Sequence, residues 1–231
     1  VMNAAAQRLY MYENGQVVDS MRVVVGKPKY ATPMMSAFIR YAALNPYWNV
    51  PPDLTAERIA PNVRKQGAAY LRRLGYEVLS DWGPNPNVVD PATIDWKAVA
   101  DGSIRIRVRQ LPGPHNAMGQ MKFMFPNIEG VYLHDTPEKE LLTEASRLFS
   151  GGCVRLEDAP RLGRWLFGTT LNANGAEPEQ PVPLANPVPV YLTYLTAVPS
   201  GSSVAFFDDI YGRDAVRLAQ PTGATALSSA R

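Results

Sequence analysis

The thiol of Cys153 lies in Ser150-Gly151-Gly152-Cys153-Val154-Arg155, downstream of a histidine in Val131-Tyr132-Leu133-His134-Asp135-Thr136-Pro137. A thiol acts as a nucleophile through its thiolate, and only where substrate can reach it. Two glycines ahead of Cys153 let the backbone turn tightly and let a substrate approach closely. Backbone N–H groups around such a turn can point at a developing oxyanion. A histidine within reach can withdraw the thiol proton and later return it to a leaving or attacking amine. The chemistry this pairing offers is acyl transfer through a thioester.

The chain has one cysteine and two histidines. His134 ends a strand-like run and is the preferred base. His115 sits in the loop Pro112-Gly113-Pro114-His115-Asn116 and stays as the alternative. The imidazole needs a third group to orient it, either a carboxylate or a backbone carbonyl. The rival reading treats a lone cysteine as a small buried hydrophobe; the double glycine weighs against it. No Cys-x-x-Cys or His-x-x-x-His spacing is present, so neither metal nor cofactor is expected. No glycine-rich phosphate cradle precedes a helix. Asp208-Asp209 reads as a solvated strand end.

Several elements must position these groups. Asn14-Gly15 between two β-rich runs, Arg8–Tyr12 and Val17–Val25, predicts a hairpin. Ala37–Leu44 reads as a strand. From 54 to 74 the texture turns helical, with Thr55 as an N-cap, Pro61 bending or ending the first helix and Gly75 stopping the second. Tyr76–Leu79 reads as a strand and 82–102 as loop. Strands return at Ile104–Leu111, Met121–Phe125 (Phe123 and Phe125 on one side) and Val131–His134. Thr136-Pro137 opens a short polar helix. A helix is expected over 157–167, a mobile proline-rich loop over 170–187, and strands over Val188–Tyr194 and Val204–Phe207. Residues 51–104 thus read as an insertion into a β domain spanning 1–214, and 215–231 as a flexible tail.

Composition agrees with a β domain. The 21 prolines and 17 glycines favour turns and edge strands over a helical bundle. A net charge of +2 with no dense basic block argues against nucleic acid as a partner; Arg105, Arg107 and Arg109 alternate along one strand and read as a solvated face. No apolar run approaches the roughly 18 residues of a membrane span. The chain begins at Val1 and shows no signal peptide, which reads as a mature protein or an excised domain.

These motifs resemble the L,D-transpeptidase family (the YkuD-type domain), whose pattern is His-x-Thr-Pro, a spacer, and Ser-x-Gly-Cys-[Val/Ile]-Arg. Val25-Gly26-Lys27-Pro28, Thr32-Pro33, Asn45-Pro46-Tyr47-Trp48-Asn49-Val50-Pro51, Lys122-Phe123-Met124-Phe125-Pro126-Asn127 and Asp209-Ile210-Tyr211-Gly212-Arg213-Asp214 extend the likeness to the Gram-negative branch with an inserted capping subdomain. The resemblance implies a mainly β, YkuD-like β-sandwich with short helices and a partly helical cap. It implies that Cys153 attacks the diaminopimelate carbonyl of a peptidoglycan stem tetrapeptide, that D-alanine leaves, and that an amine of a second stem resolves the thioester as a 3–3 or 1–3 crosslink. His134 would be base and acid, the Asp135 carbonyl its orienter, and the amides of Gly152 and Cys153 the oxyanion hole. Trp48, Tyr47, Phe123, Met124, Gly151, Ser150 and Arg155 are candidates for the substrate surface, Arg155 and Ser150 also as supports of the nucleophile loop. Gly151 stands where many members carry histidine. The implied location is the periplasm, with peptidoglycan stem peptides as partners and carbapenem-type β-lactams as covalent inhibitors. The alternatives are an L,D-carboxypeptidase or crosslink hydrolase using the same acyl-enzyme, and a cell-wall-binding module with a silent site.

Overall fold

Asn14 and Gly15 adopt φ of 51° and 77°, the paired positive values that a tight hairpin turn requires. They join β2 (Arg8–Glu13) to β3 (Gln16–Gly26), after a short β1 (Met2–Asn3). The computed structural model describes residues 1–219. After β3 come β4 (Met35–Leu44) and then a smaller unit. That unit holds β5 (Trp48–Val50), α1 (Pro52–Leu54), a π-helical turn (Thr55–Ile59), α2 (Ala60–Gln66) and α3 (Ala69–Leu74). It continues through β6 (Tyr76–Leu79), β7 (Val88–Val89), α4 (Trp96–Ala100) and β8 (Arg107–Gln110). The main sheet resumes with β9 (Met121–Met124), β10 (Leu133–His134), β11 (Leu148–Ser150) and β12 (Val154–Leu156). Then follow α5 (Ala159–Phe167), β13 (Gln180–Thr193), β14 (Ala197–Ser200), β15 (Ser203–Phe206) and α6 (Arg213–Ala219).

The protein is mainly β, as expected. Nine strands form one sheet in the order β11-β3-β12-β10-β9-β4-β13-β1-β2, and a further β2–β3 pairing brings the sheet back on itself. Closing the circuit encloses a core. That core includes Val23, Ile39, Phe123, Leu133, Leu156 and Leu192, with Leu162 of α5 packed in. The smaller unit has its own four-stranded sheet, β5-β8-β6-β7, and its own cluster of Val50, Ile59, Val63, Leu71, Trp96 and Val108. It begins at Trp48 and closes at Gln110, wider than 51–104.

Several local expectations are corrected. Thr55 is no N-cap: the helical run starts at Pro52, and Thr55 is buried inside it. Pro61 does not end the run but sits in the first turn of α2. Proline cannot supply the N–H that a regular turn would take, and the wider π turn ahead of it absorbs the defect. Residues 82–102 are not plain loop. The Asp90 side chain caps a 3-10 turn, Pro91–Thr93, and the Asp95 side chain accepts from Lys97 N and Ala98 N to start α4. Thr136 Oγ1 accepts from Glu138 N at 3.2 Å, as a cap would, but the helical turn itself is 3-10 and starts later, at Lys139–Thr143.

The prolines of 170–187 lie largely in β13, paired with β4 through Pro181↔Ala43 and Pro183↔Tyr41, with a register break between Pro183 and Val188. β1 covers the far side of β13 only at Leu192 and Thr193, so over most of its length β13 has a free edge that tolerates prolines. The Gly168 end of α5, at φ 68°, and the Asp158 cap accepting from Arg161 N agree with the helix expected over 157–167. The folded chain runs past 214, through α6 to Ala219. The rest of the expected tail, 220–231, lies outside the described residues. Among the described residues no helix is long and apolar enough to cross a membrane.

Candidate active site

β10 and β12 run parallel, pairing Leu133 with Val154 and His134 with Arg155. This register places the histidine at the end of one strand and the cysteine just ahead of the start of its neighbour. Both line one cavity of about 250 Å³ between the sheet and the smaller unit. Trp48, Leu54 and Arg58 close it from the smaller unit's side, and Tyr132 and Gly130 from the sheet's. Cys153 is partly exposed, and its sulfur lies 3.9 Å from the Gly130 carbonyl oxygen.

His134 is buried, and its Nδ1 is 2.5 Å from the Asp135 carbonyl oxygen. A carbonyl can only accept, so Nδ1 carries the proton and Nε2 presents its lone pair. Burial, reinforced by the Arg155 charge, pushes the imidazolium pKa down to about 3. Burial likewise pushes the Cys153 thiol up to about 11, although Arg155 and Lys122 oppose it. The resting pair is therefore neutral thiol and neutral imidazole, because neither charge is well solvated here.

The Asp135 side chain faces away from this cavity. Its carboxylate accepts from Lys139 Nζ at 2.7 Å and from Gln120 N at 3.0 Å. Gly119 backs it: a Cβ there would fall 2.4 Å from Asp135 Oδ2.

The turn that carries Cys153 is held from within and from behind. Ser150 Oγ donates to the Cys153 carbonyl at 2.6 Å and accepts from Gly152 N at 3.1 Å. Gly152 adopts φ 114°, open to glycine and strained for other residues. Thr32 Oγ1 donates to the Gly152 carbonyl at 2.9 Å and accepts from Gly26 N at 3.0 Å. Behind Thr32, the Tyr211 hydroxyl donates to the Gly26 carbonyl at 2.8 Å and accepts from Thr32 N at 3.3 Å.

The Gly152 amide, expected in the oxyanion hole, is thus engaged by Ser150. The Cys153 N–H has no protein acceptor among the described residues. Gly151 is exposed, and a Cβ on it would meet Leu54 Cδ1 at 3.2 Å. The smaller unit and the Cys153 loop therefore touch where the glycine leaves room.

Other expected substrate residues lie elsewhere. Phe123 is fully buried in the core beneath Gly163 of α5, because the inward face of β9 is the one it occupies. Met124 does not line the thiol cavity. Tyr47 does not either. Its N–H donates to Glu179 Oε1 at 2.7 Å and Arg109 stacks over its ring at 4.3 Å, so it braces the entry to the smaller unit. Arg155 is buried and paired with Glu138, and it lines the cavity beside His134. His115, the alternative base, lines a neighbouring cavity and not the one holding the thiol.

Thr32 and Tyr211 were visible in the sequence only as family-like segments. Their support of the loop had no local signal, since it spans contacts from residue 26 to residue 211.

One cavity of this mainly β protein holds a thiol and an oriented, neutral imidazole, residue types that nucleophilic chemistry can use. A model of the YkuD family, the L,D-transpeptidase catalytic domain, matches residues 1–188. A Haemophilus influenzae (strain ATCC 51907 / DSM 11121 / KW20 / Rd) protein named "Putative L,D-transpeptidase" is 33% identical over 220 residues, which is 92% of this chain and 44% of that protein. The chain belongs to the YkuD family of L,D-transpeptidase catalytic domains. It spans less than half the length of that relative.

Proposed function

We propose that the protein is a peptidoglycan L,D-transpeptidase of the cell envelope, in the periplasm, acting through a Cys153 thioester. The observation that supports this most is the shared cavity of Cys153 and His134, with Nδ1 of the histidine fixed on the Asp135 carbonyl. In the acylation step, Nε2 of His134 takes the thiol proton as Sγ attacks the diaminopimelate carbonyl of a tetrapeptide stem. Concerted transfer suits a pair that is neutral at rest. The oxyanion is received by the Cys153 N–H, the donor in this turn without a protein acceptor. The imidazolium then protonates the departing D-alanine amine, and a thioester remains. An amine of a second stem resolves it and the thiol is restored. Carbapenem-type β-lactams, as activated acyl donors, would label the same sulfur.

The presence of both nucleophile and base weighs against a silent binding module. Mass spectrometry of products from purified tetrapeptide muropeptides, with Cys153→Ala in parallel, tests the reading. Crosslinked dimers made only by the intact thiol are expected, and their fragmentation distinguishes 3–3 from 1–3 linkage. Tripeptides alone would mean that water resolves the thioester. Dimers formed equally by Cys153→Ala would remove the thioester mechanism.

A further inference from the structure

A second cavity of about 400 Å³ adjoins the one holding the thiol, and the two share Trp48, Arg58, Ala117 and Arg155. One side of it comes from the smaller unit: Arg58, Tyr70 and Tyr76. The tyrosines stack with ring centroids 6.1 Å apart, and Tyr76 meets Trp48 at 6.2 Å, making an aromatic wall. The other side comes from Pro137, Glu138 and Glu140, which closely follow His134 in the chain. His134, Cys153, Ser150 and Gly151 line only the thiol cavity, but Arg155, the strand-register partner of His134, lines both. The second cavity therefore opens on the base side of the nucleophile.

Its charges are split across the gap. Glu138 is paired with Arg155. Arg58 and Glu140 are exposed and form no ion pair among the described residues. A free cation on one wall and a free anion on the other suit a ligand carrying both a carboxylate and an ammonium. The chemistry fixes which ligand comes from this side. The departing amine takes its proton from His134, and the incoming amine must give one back to the same nitrogen, so both pass on the imidazole side.

We propose that this second cavity receives the acyl acceptor, the amine-bearing end of a second stem peptide, with Arg58 taking its carboxylate and Glu140 its ammonium. The assignment rests on the transpeptidase reading above. The ammonium first gives one proton to solvent. The neutral amine attacks the thioester carbonyl, the C–N bond forms and the C–S bond breaks. The second amine proton passes through Nε2 of His134 to the departing sulfur, restoring the thiol.

The test uses the protein with purified tetrapeptide muropeptides and two separate mass-spectrometric readouts. One is the rate at which the acyl group appears on Cys153 in a single turnover. The other is the ratio of crosslinked dimer to tripeptide at steady state. Loss of one charge-assisted contact in Glu140→Gln, or in Arg58→Gln, should lower the dimer-to-tripeptide ratio about tenfold, while acylation changes much less. An unchanged ratio in both variants overturns the assignment. A fall in acylation with the ratio preserved also overturns it, because the cavity would then hold the donor. A wild-type protein that acylates but yields tripeptide alone sinks the acceptor site and leaves the thioester standing. No acyl-Cys153 at all in the wild type sinks the transpeptidase reading itself.

Discussion

Lys139 donates to the Asp135 carboxylate at 2.7 Å, and the same ammonium reaches the carbonyls of Glu157 at 3.0 Å and Leu156 at 3.3 Å. One cation thus joins the turn after His134 to the end of the strand that follows Cys153. Asp135 is buried and Lys139 half-exposed, so solvent screens part of the pair. Lys139→Met should cost about 1–2 kcal/mol of stability, from the carboxylate left underpaired. With the Asp135 carbonyl less firmly held, kcat should fall about tenfold with KM little changed, and Lys139→Arg should recover part of it. Thermal melts and steady-state kinetics check this. A stability loss without a change in kcat would confine Lys139 to the fold.

Acid sensitivity follows from His134. Its pKa is about 3 in the fold, through burial and then the Arg155 charge, against 6.5 for an ordinary histidine. As pH falls below that ordinary value, the unfolded chain takes up a proton that the folded protein refuses. The contribution is whole above about pH 6.5 and drains by up to about 1.4 kcal/mol per unit toward pH 3. Urea titrations at several pH values should show His134→Gln losing less stability on acidification than the wild type. Equal losses in the two proteins would count against this account.

Gly151 and Gly152 should respond differently to alanine. At Gly151 the new methyl meets only the flexible end of Leu54, at 3.2 Å, so Gly151→Ala should fold with near-normal stability and still acylate. At Gly152 the backbone sits at φ 114°, and alanine there carries about 1–3 kcal/mol of strain. The relief would move the amide off Ser150 Oγ and shift the nucleophile. Carbapenem acylation followed by intact mass should therefore be slowed strongly in Gly152→Ala and little in Gly151→Ala.

Thr32→Val tests the support behind the loop. It keeps the shape but strips Oγ1 from Gly26 N and the Gly152 carbonyl. Two buried polar groups left unpaired should cost about 2–4 kcal/mol. Tyr211→Phe removes a hydroxyl that bridges the same segment and should cost about 1 kcal/mol. Chemical denaturation measures both. A smaller loss in Thr32→Val than in Tyr211→Phe would invert the proposed hierarchy.

Much was legible in the residues themselves. Asn14-Gly15 named its turn because few residues tolerate paired positive φ, and Gly75 stopped its helix in the left-handed region, at φ 71°, for the same reason. The thiol, His134 and the glycines between them were visible as residue types with a spacing, and their motif pointed to the family. The partners of those groups were not visible. Phe123 reads as a surface or core residue equally well until β9 is placed under α5. The prolines of β13 look like loop until one edge of that strand is seen to be free. That the Gly152 amide is engaged by Ser150 and the Cys153 amide is open, and that His115 faces a different cavity from the thiol, depends on contacts between residues far apart in the chain. Local conformational preference is written in each residue. Burial, register and the satisfaction of polar groups are set only when distant segments meet.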